Sequence, residues 1–288
     1  MTLLLELLAS VTGVTLAVVA VASLVVIGRP RLRAFLHQYR TRLRSAVPFL
    51  AVLGGVLAVN SIVRQAGMEI SWMIGWNITY DIYALEGGFV PFVQSFAHPT
   101  VTRLLSLSYI YGYVFLLVFP IVAYLVLADD RWLRTAALAY SLNYVIGLGC
   151  YLLFIAYGPR NLLPDLVDPL LYSEWPSSKF LTSKVNTNTN VFPSLHTSLS
   201  VTVMFLAYRS RREYPRWVPV AAVVGTSVIV STMYLGIHWL TDVFAGIGLG
   251  IGSVVLAERL VDRGVVKEWW EHVVISVRER LRSLRGDD

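Results

Sequence analysis

The 288-residue sequence has few charged residues and almost no cysteine. Charged side chains make up 15% of the chain, and Cys150, which lies inside an apolar run, is its one cysteine. A single cysteine excludes a framework of disulfides within the chain. The net charge of +6 comes mostly from short arginine clusters beside apolar segments. This arrangement argues against a nucleic-acid-binding protein, because it offers no extended basic surface.

Apolar residues, in contrast, are abundant. Hydrophobic residues make up 56% of the chain, and its mean hydropathy of +0.63 is far above that of a soluble domain. Several segments reach the roughly 20 apolar residues needed to cross a bilayer. We therefore predict an all-α polytopic membrane bundle of about seven transmembrane helices. The predicted spans are 3–27, 46–63, 104–127, 133–157, 193–208, 217–234 and 237–257.

No long polar linker divides the apolar part of the chain, so one membrane domain is expected. We divide the chain into a first transmembrane helix with a basic cytoplasmic loop (1–45), a membrane domain (46–257) and a cytoplasmic tail (258–288). The spacing of apolar residues in the tail predicts an amphipathic helix lying on the membrane. The region 64–103 is rich in tryptophan and tyrosine, which favour the membrane interface, so we predict a loop with interfacial helices.

Arginine is unevenly distributed between the loops, and this bias predicts the orientation. Six arginines follow the first span and four follow the fifth, while the regions 64–103 and 158–190 have no dense basic cluster. By the positive-inside rule, the two arginine-rich loops are cytoplasmic and the other two regions lie outside. We expect an integral protein of the plasma membrane. Three ionisable residues of the outer loop are expected to be solvated: Asp81, Glu86 and His98.

Two histidines and an aspartate lie at the predicted outer end of the apolar spans. His196 opens the fifth span and His238 the seventh. Asp242 follows His238 by four residues, a spacing that puts both on one face of a helix. Arg160 lies near the start of an outer loop, at the same end. Ionisable side chains are costly near a bilayer interior, so these residues are candidates for function.

This set of side chains suits phosphoryl transfer. One histidine can attack phosphorus if a carboxylate fixes its tautomer, and a second can protonate the leaving oxygen. A cation and hydroxyl groups can stabilise the phosphate oxygens. Two histidines and an aspartate could instead bind zinc, or relay protons in a transporter. Against these alternatives, the sequence has no His-Glu-x-x-His motif, and its ionisable groups gather at one end.

Two segments resemble motifs of the type 2 phosphatidic acid phosphatase (PAP2) superfamily. The sequence Pro-Ser-Leu-His ending at His196 is similar to its second motif, and the spacing from Ser231 through His238 to Asp242 is similar to its third. The residues around both histidines are most similar to those of the inositol phosphorylceramide synthase-like branch, which contains lipid head-group transferases. The resemblance is firm over 191–246 and extends as a six-helix core over 46–257.

The resemblance implies a membrane phosphotransferase that acts on lipid phosphate esters. Head-group transfer from a phospholipid to an alcohol acceptor is the activity expected, with a lipid phosphate phosphatase as the alternative. His238 would form a phosphohistidine, Asp242 would orient it, and His196 would act as the general acid. Ser194 and Ser231 would contact phosphate. The family needs neither a metal nor a cofactor, and its partners are the lipid substrate and the bilayer. Nothing in the sequence indicates an oligomeric state.

The sequence departs from the family pattern at two places. Thr232 stands where the third motif usually has arginine, and Leu153 occupies the position of the lysine of the first motif. Arg160 and Thr232 are therefore the remaining candidates for binding phosphate, and Lys179 or Lys184 could supply charge instead of Arg160. Loss of an arginine should weaken binding of a dianionic monoester more than that of a monoanionic diester, which favours transfer.

Overall fold

Helices make up nearly all of the regular structure. The computed structural model describes residues 2–176 and 191–265, together with Glu268, His272 and Ser276. A two-residue parallel pairing of Trp76–Asn77 with Phe154–Ile155 is the one strand pairing among these residues. The helices are α1 (Thr2–Ala22), α2 (Arg29–Ile74), α3 (Thr79–Glu86), α4 (Phe89–Gln94), α5 (Pro99–Leu107), α6 (Tyr113–Val126), α7 (Arg131–Leu153), α8 (Pro159–Leu162), α9 (Leu170–Glu174), α10 (Leu195–Arg209), α11 (Trp217–Tyr234) and α12 (Leu240–Asp262).

Two π-helical turns extend these helices. Ser23–Ile27 continues α1, and Ser108–Gly112 joins α5 to α6 without a break. A π turn inserts one residue into a helix and changes the direction of the side chains that follow it. The second turn lies beside the candidate site described below.

The prediction of an all-α membrane bundle is confirmed, with one helix fewer than expected. Among the described residues, six helical segments are long and apolar enough to cross a membrane: Leu5–Ile27, Arg29–Val63, Pro99–Val126, Arg131–Leu153, Trp217–Tyr234 and Leu240–Asp262. The predicted fifth span is α10, which has only 15 residues. At 1.5 Å per residue it rises about 22 Å, whereas a bilayer core is about 30 Å thick. Its first residues therefore lie within the depth of the bundle.

The basic segment after the first span is helical, so the predicted loop was wrong. The 46-residue helix α2 contains all six arginines and runs on through the predicted second span. Arginine is a good helix former, and the segment has no glycine that would end the helix. Arg42 donates to the carbonyls of Val126 and Leu127, and Arg31 donates to the carbonyl of Glu213. These contacts fix the helix against two turns of the bundle.

Charged pairs gather at one end of the bundle, which we call the basic end. Arg209 at the end of α10 makes two hydrogen bonds of 2.9 Å to Glu258 near the end of α12. Arg131 lies 3.2 Å from Asp262. Pairs with an exposed partner contribute little stability, but the contact of Arg209 with Glu258 shows that α10 and α12 run parallel. Both of these helices therefore begin at the opposite end of the bundle.

Small and polar residues let α7, α10 and α12 pack closely. Asn143 donates to the hydroxyl of Thr202, and that hydroxyl bonds to the carbonyl of Gly250. A Cβ at Gly246 would lie 2.7 Å from the carbonyl oxygen of Ser194, closer than real side chains come. Small residues and interhelical hydrogen bonds are what bring membrane helices together. This close approach fixes the start of α10 against the start of α12.

The aromatic region 64–103 contains short helices, as predicted, but it begins later than the sequence indicated, because α2 runs on to Ile74. It holds α3, α4 and the start of α5, and several of the rings in 64–103 are exposed, among them Trp72, Trp76 and Phe92. The tail prediction concerns residues that the structure mostly does not describe. Helix α12 extends to Asp262, and beyond residue 265 the predicted amphipathic helix lies, apart from three single positions, outside the described residues.

Candidate active site

The N-termini of α10 and α12 meet through main-chain atoms. The amide of Ser194 donates to the carbonyl of Asp242 over 3.1 Å. The Ser194 side chain accepts a hydrogen bond from the amide of Thr197 and so caps α10. Ser194 and Asp242 are both fully buried. The two sequence motifs, 42 residues apart at their histidines, are therefore brought together at one level of the bundle.

His238 and Asp242 form a buried pair. Nδ1 of His238 lies 3.2 Å from Oδ2 of Asp242, and the side chains are 3% and 0% exposed. The same Oδ2 accepts the amide of Trp239 over 2.9 Å, and the amide of His238 donates to the carbonyl of Thr232 over 3.0 Å. The tautomer that donates from Nδ1 to the carboxylate leaves the lone pair on Nε2. The predicted pairing is present, but His238 lies just before α12, which begins at Leu240, so the pair forms at the start of the helix rather than along one of its faces.

The environment of His238 favours its neutral form. The pKa of His238 is lowered from 6.5 to about 3, mainly by burial and also by the Arg160 guanidinium, while a hydrogen bond to the backbone of Val191 opposes the shift. An imidazole with a lowered pKa is unprotonated at neutral pH and keeps its lone pair. A nucleophile needs this form.

Arg160 lies beside His238, at the level that the sequence predicted. Its amide donates to the carbonyl of Gly236 over 3.2 Å, and Nη2 donates to the Tyr172 hydroxyl over 2.9 Å. A Cβ at Gly158 would lie 2.5 Å from the carbonyl oxygen of Ile237, so glycine is needed for this approach. Nη1 of Arg160 is buried and has no hydrogen-bond partner among the described residues. A buried guanidinium nitrogen in this position suits an anion.

His196 is held by aromatic rings. It is the second residue of α10 and is half-buried. Its ring is 4.4 Å from that of Tyr109, nearly parallel at 17°, and 4.2 Å from that of Tyr113. The Tyr151 hydroxyl donates to the carbonyl of Pro193 over 3.1 Å and fixes the chain just before α10. His196 therefore lies at the same end of the bundle as the His238–Asp242 pair, in a different environment.

The predicted hydroxyl groups on α11 bond to their own helix. Ser231 Oγ donates to Val228 over 2.6 Å, and Thr232 Oγ1 donates to Ile229 over 2.7 Å. The structure brings Thr232 to His238 through its carbonyl oxygen rather than its hydroxyl. Of the predicted alternatives to Arg160, the two lysines at positions 179 and 184 lie outside the described residues.

Glu86 is a site residue that sequence reasoning missed. Its carboxylate accepts the amide of Leu240 over 2.8 Å and also that of Thr241. The prediction that Glu86 is solvated was therefore wrong, because it holds the first turn of α12. The residue before α12 is Trp239, which is a poor capping residue. A helix that starts without a good cap needs another acceptor for its free amides, and this was the signal available in the sequence.

The described residues contain no group of three or more histidine, cysteine, aspartate or glutamate side chains placed to hold a metal ion. The zinc alternative requires His196, His238 and Asp242 to converge on one point. Instead, Asp242 binds the Nδ1 side of His238, and His196 packs against tyrosine rings. The donor set therefore favours chemistry by the side chains themselves.

The fold and the site define a class of polytopic helical membrane proteins with a buried histidine–aspartate pair beside an arginine. The sequence model of the PAP2 superfamily matches residues 84–256, which is more than half of the chain, and the protein belongs to that superfamily. The match contains every predicted site residue and Glu86, but it starts later than the predicted core at residue 46. Searches of curated proteins and of solved structures return no match. Membership supports lipid phosphate chemistry of the phosphatase or phosphotransferase type.

Proposed function

We propose that the protein is a membrane phosphotransferase that moves a phosphate-linked head group from a phospholipid to an alcohol through a phosphohistidine on His238. The observation that carries the proposal is the buried His238–Asp242 pair, 3.2 Å apart, next to a guanidinium nitrogen of Arg160 that has no partner among the described residues. A neutral, oriented imidazole beside an anion-binding group is what attack on a phosphodiester requires.

In the first step, Nε2 of His238 attacks phosphorus and the bond from phosphorus to the leaving oxygen breaks. His196, as imidazolium, gives its proton to that oxygen, so the lipid leaves as a neutral alcohol. The phosphorylated ring carries positive charge, which the Asp242 carboxylate stabilises. Arg160 and the Ser194 end of α10 would bind the phosphate oxygens, since cations and helix N-termini favour anions.

In the second step, the acceptor hydroxyl gives its proton to His196 and attacks phosphorus. The bond from phosphorus to Nε2 breaks, and both histidines return to their starting states. Water in place of the acceptor gives hydrolysis, which is the phosphatase alternative. The same residues serve both reactions, so the choice depends on which hydroxyl group reaches the site.

Two features favour a phosphodiester over a phosphomonoester. Thr232 occupies the position at which the superfamily usually has an arginine, and its hydroxyl donates to its own helix. Arg160 is the guanidinium that faces His238 among the described residues. A monoester dianion loses more from a missing cation than a diester monoanion does, because the Coulomb term scales with charge.

We also propose that the site faces the extracytoplasmic side of the plasma membrane. The arginine clusters that predict cytoplasmic exposure lie at the basic end, opposite the site. Single cysteines at Ser45 and Ser173, in a Cys150→Ser background, test this proposal in sealed cells. An impermeant thiol reagent should label Ser173→Cys and spare Ser45→Cys. The reverse labelling pattern would invert the orientation.

The reaction type is tested with purified protein and a panel of labelled phosphodiester lipids, each with and without an alcohol acceptor. The expected result is acceptor-dependent transfer of the labelled head group, which is absent in His238→Ala. His98→Ala is a matched control, since His98 only caps α5 through the amide of Thr100. If inorganic phosphate from a monoester lipid dominates even when acceptor is present, the transferase proposal fails and the phosphatase replaces it.

A further inference from the structure

The surroundings of His196 differ from those of a histidine packed in an apolar core. Two tyrosine rings lie against its imidazole at centroid distances of 4.4 Å and 4.2 Å. Both tyrosines come from one helical segment: Tyr109 lies within the π turn Ser108–Gly112, and Tyr113 follows it directly. Residues four apart lie on one helix face, so Tyr109 and Tyr113 contact the same partner. Turns of this kind occur frequently at functional sites.

We propose that Tyr109 and Tyr113 are positioning residues that hold His196 in place as the proton donor to the leaving group. This inference rests on the proposed function, since it concerns the same site. The nearly parallel Tyr109 ring leaves the imidazole little freedom to tilt. The faces of both rings are electron-rich, so they also favour the charged imidazolium over the neutral form. Orientation and charge are the two properties that a general acid needs.

Neighbouring helices keep the two tyrosines in place. Tyr140, Tyr144 and Tyr151 of α7 lie close enough to Tyr113 to interact with it electrostatically. Gly112, inside the π turn, packs against α11, where a Cβ at this position would lie 3.4 Å from a Val224 methyl group, an ordinary contact. These contacts make a rigid aromatic wall on the side of His196 that faces α6.

The test uses two long-chain phosphodiesters that share one alkyl group. In the first, nitrophenolate is the other ester group and leaves without needing a proton; in the second, an alkoxide leaves and needs one. The rate measured is that of the first step, release of the leaving group in a single turnover, because His196 serves as the base for both esters in the second step. Tyr109→Leu and Tyr113→Leu should lower this rate for the dialkyl ester about 10- to 100-fold. For the nitrophenyl ester the change should be no more than about threefold. Tyr109→Phe and Tyr113→Phe keep the rings and should restore both rates.

Tyr111→Leu is the matched control, because Tyr111 lies between the two on the π turn and its ring contact is with Trp175. It should leave the ratio of the two rates unchanged. Equal losses on both esters in Tyr109→Leu and Tyr113→Leu, or no loss on either, would overturn the inference. His196→Ala separates this outcome from failure of the proposed function. If His196→Ala does not distinguish the esters, the assigned acid is wrong; if it does and the leucine variants do not, the aromatic wall is not used.

Discussion

The two histidines of the site lie at the same end of the bundle, but they are held by opposite means. His238 is 3% exposed and is fixed by a carboxylate, with its backbone amide bonded to Thr232. His196 is half-buried and is fixed by the faces of two tyrosine rings. A carboxylate on Nδ1 orients a ring and stabilises positive charge on it, which suits a group that becomes covalently modified. Ring faces orient an imidazole through stacking, which suits a group that acts as an acid and a base.

The comparison shows that residue type alone does not assign a role. Both histidines follow similar sequence patterns near the start of an apolar helix, yet burial lowers the pKa of His238 to about 3. This favours the neutral nucleophile at one site. At the other site, the faces of two tyrosine rings lie against the imidazole. Pairs of titratable groups with opposite environments are how enzymes separate an attacking group from a proton donor.

Removing His238 should give the largest effect. His238→Ala deletes the proposed nucleophile, and we expect turnover of both the nitrophenyl and the dialkyl ester to fall by about 10⁴-fold or more. His196→Ala should instead spare the first step of the nitrophenyl ester, the release of nitrophenolate in a single turnover. The rates of both variants on both esters are the measurement, with His98→Ala as a folded histidine variant for comparison. Nitrophenyl ester turnover that survives in His238→Ala would reverse the assigned roles.

The next effect concerns the group that orients His238. Asp242→Asn keeps an oxygen that can accept the Trp239 amide, but it cannot stabilise a positively charged ring and allows the wrong tautomer. We expect a loss of about 10³-fold on both esters. The measurement is kcat for each ester, with protein folding checked by thermal unfolding in detergent. If only the dialkyl ester is affected, Asp242 serves the proton donor rather than the nucleophile.

Arg160 should give a smaller loss, and one that depends on charge. Arg160→Gln removes the cation, and we expect kcat/KM to fall about 100-fold. Arg160→Lys should recover part of that loss, since lysine keeps the charge but not the two-pronged geometry. Tyr172→Phe is the matched control: it removes the hydroxyl that binds Nη2 and should cost only a few-fold. Equal activity of the glutamine and lysine variants would show that charge at this position does not matter.

Much of the fold could be predicted from apolar runs, because about 20 consecutive apolar residues have few alternatives to crossing a membrane. Two predictions failed because they took charge and helix length as sufficient signals. The arginine-rich segment that was predicted as a loop is part of α2, because arginine is a good helix former and Arg42 donates to a carbonyl at the end of α6. The 15-residue α10 was read as a full span, although its length already excluded one.

For the candidate site, contacts between residues close in sequence could be predicted, whereas contacts between distant residues could not. His238 and Asp242 are four residues apart, so their pairing could be predicted from the sequence, although it forms at the start of α12, which begins at Leu240, and not along the face of the helix. Glu86 is 154 residues from the amide that it holds, and Tyr109 is far in sequence from His196. No local pattern encodes such contacts, because they depend on how whole helices pack. Both of the missed groups support a catalytic candidate from the side, without belonging to either motif.

Substitution of Glu86 should give the smallest effect. It tests whether the two histidines are held independently, because Glu86 contacts the helix that follows His238. Its carboxylate accepts two amides at the start of α12, the helix that carries Asp242. Glu86→Ala leaves those amides without their acceptor, and we expect a loss of about 1 kcal/mol of stability, as for a lost helix cap.

Turnover of Glu86→Ala should fall less than about tenfold, by the same factor on both esters, because a cap worth that much can displace the pair only slightly. Glu86→Gln keeps an acceptor and should recover most of both losses. Asp81→Ala removes an exposed acid from the same short helix and controls for charge. Thermal unfolding in detergent and the two ester rates are the measurements. A selective loss on the dialkyl ester would show that α12 and α10 are not held independently, and that the two histidines respond as one unit.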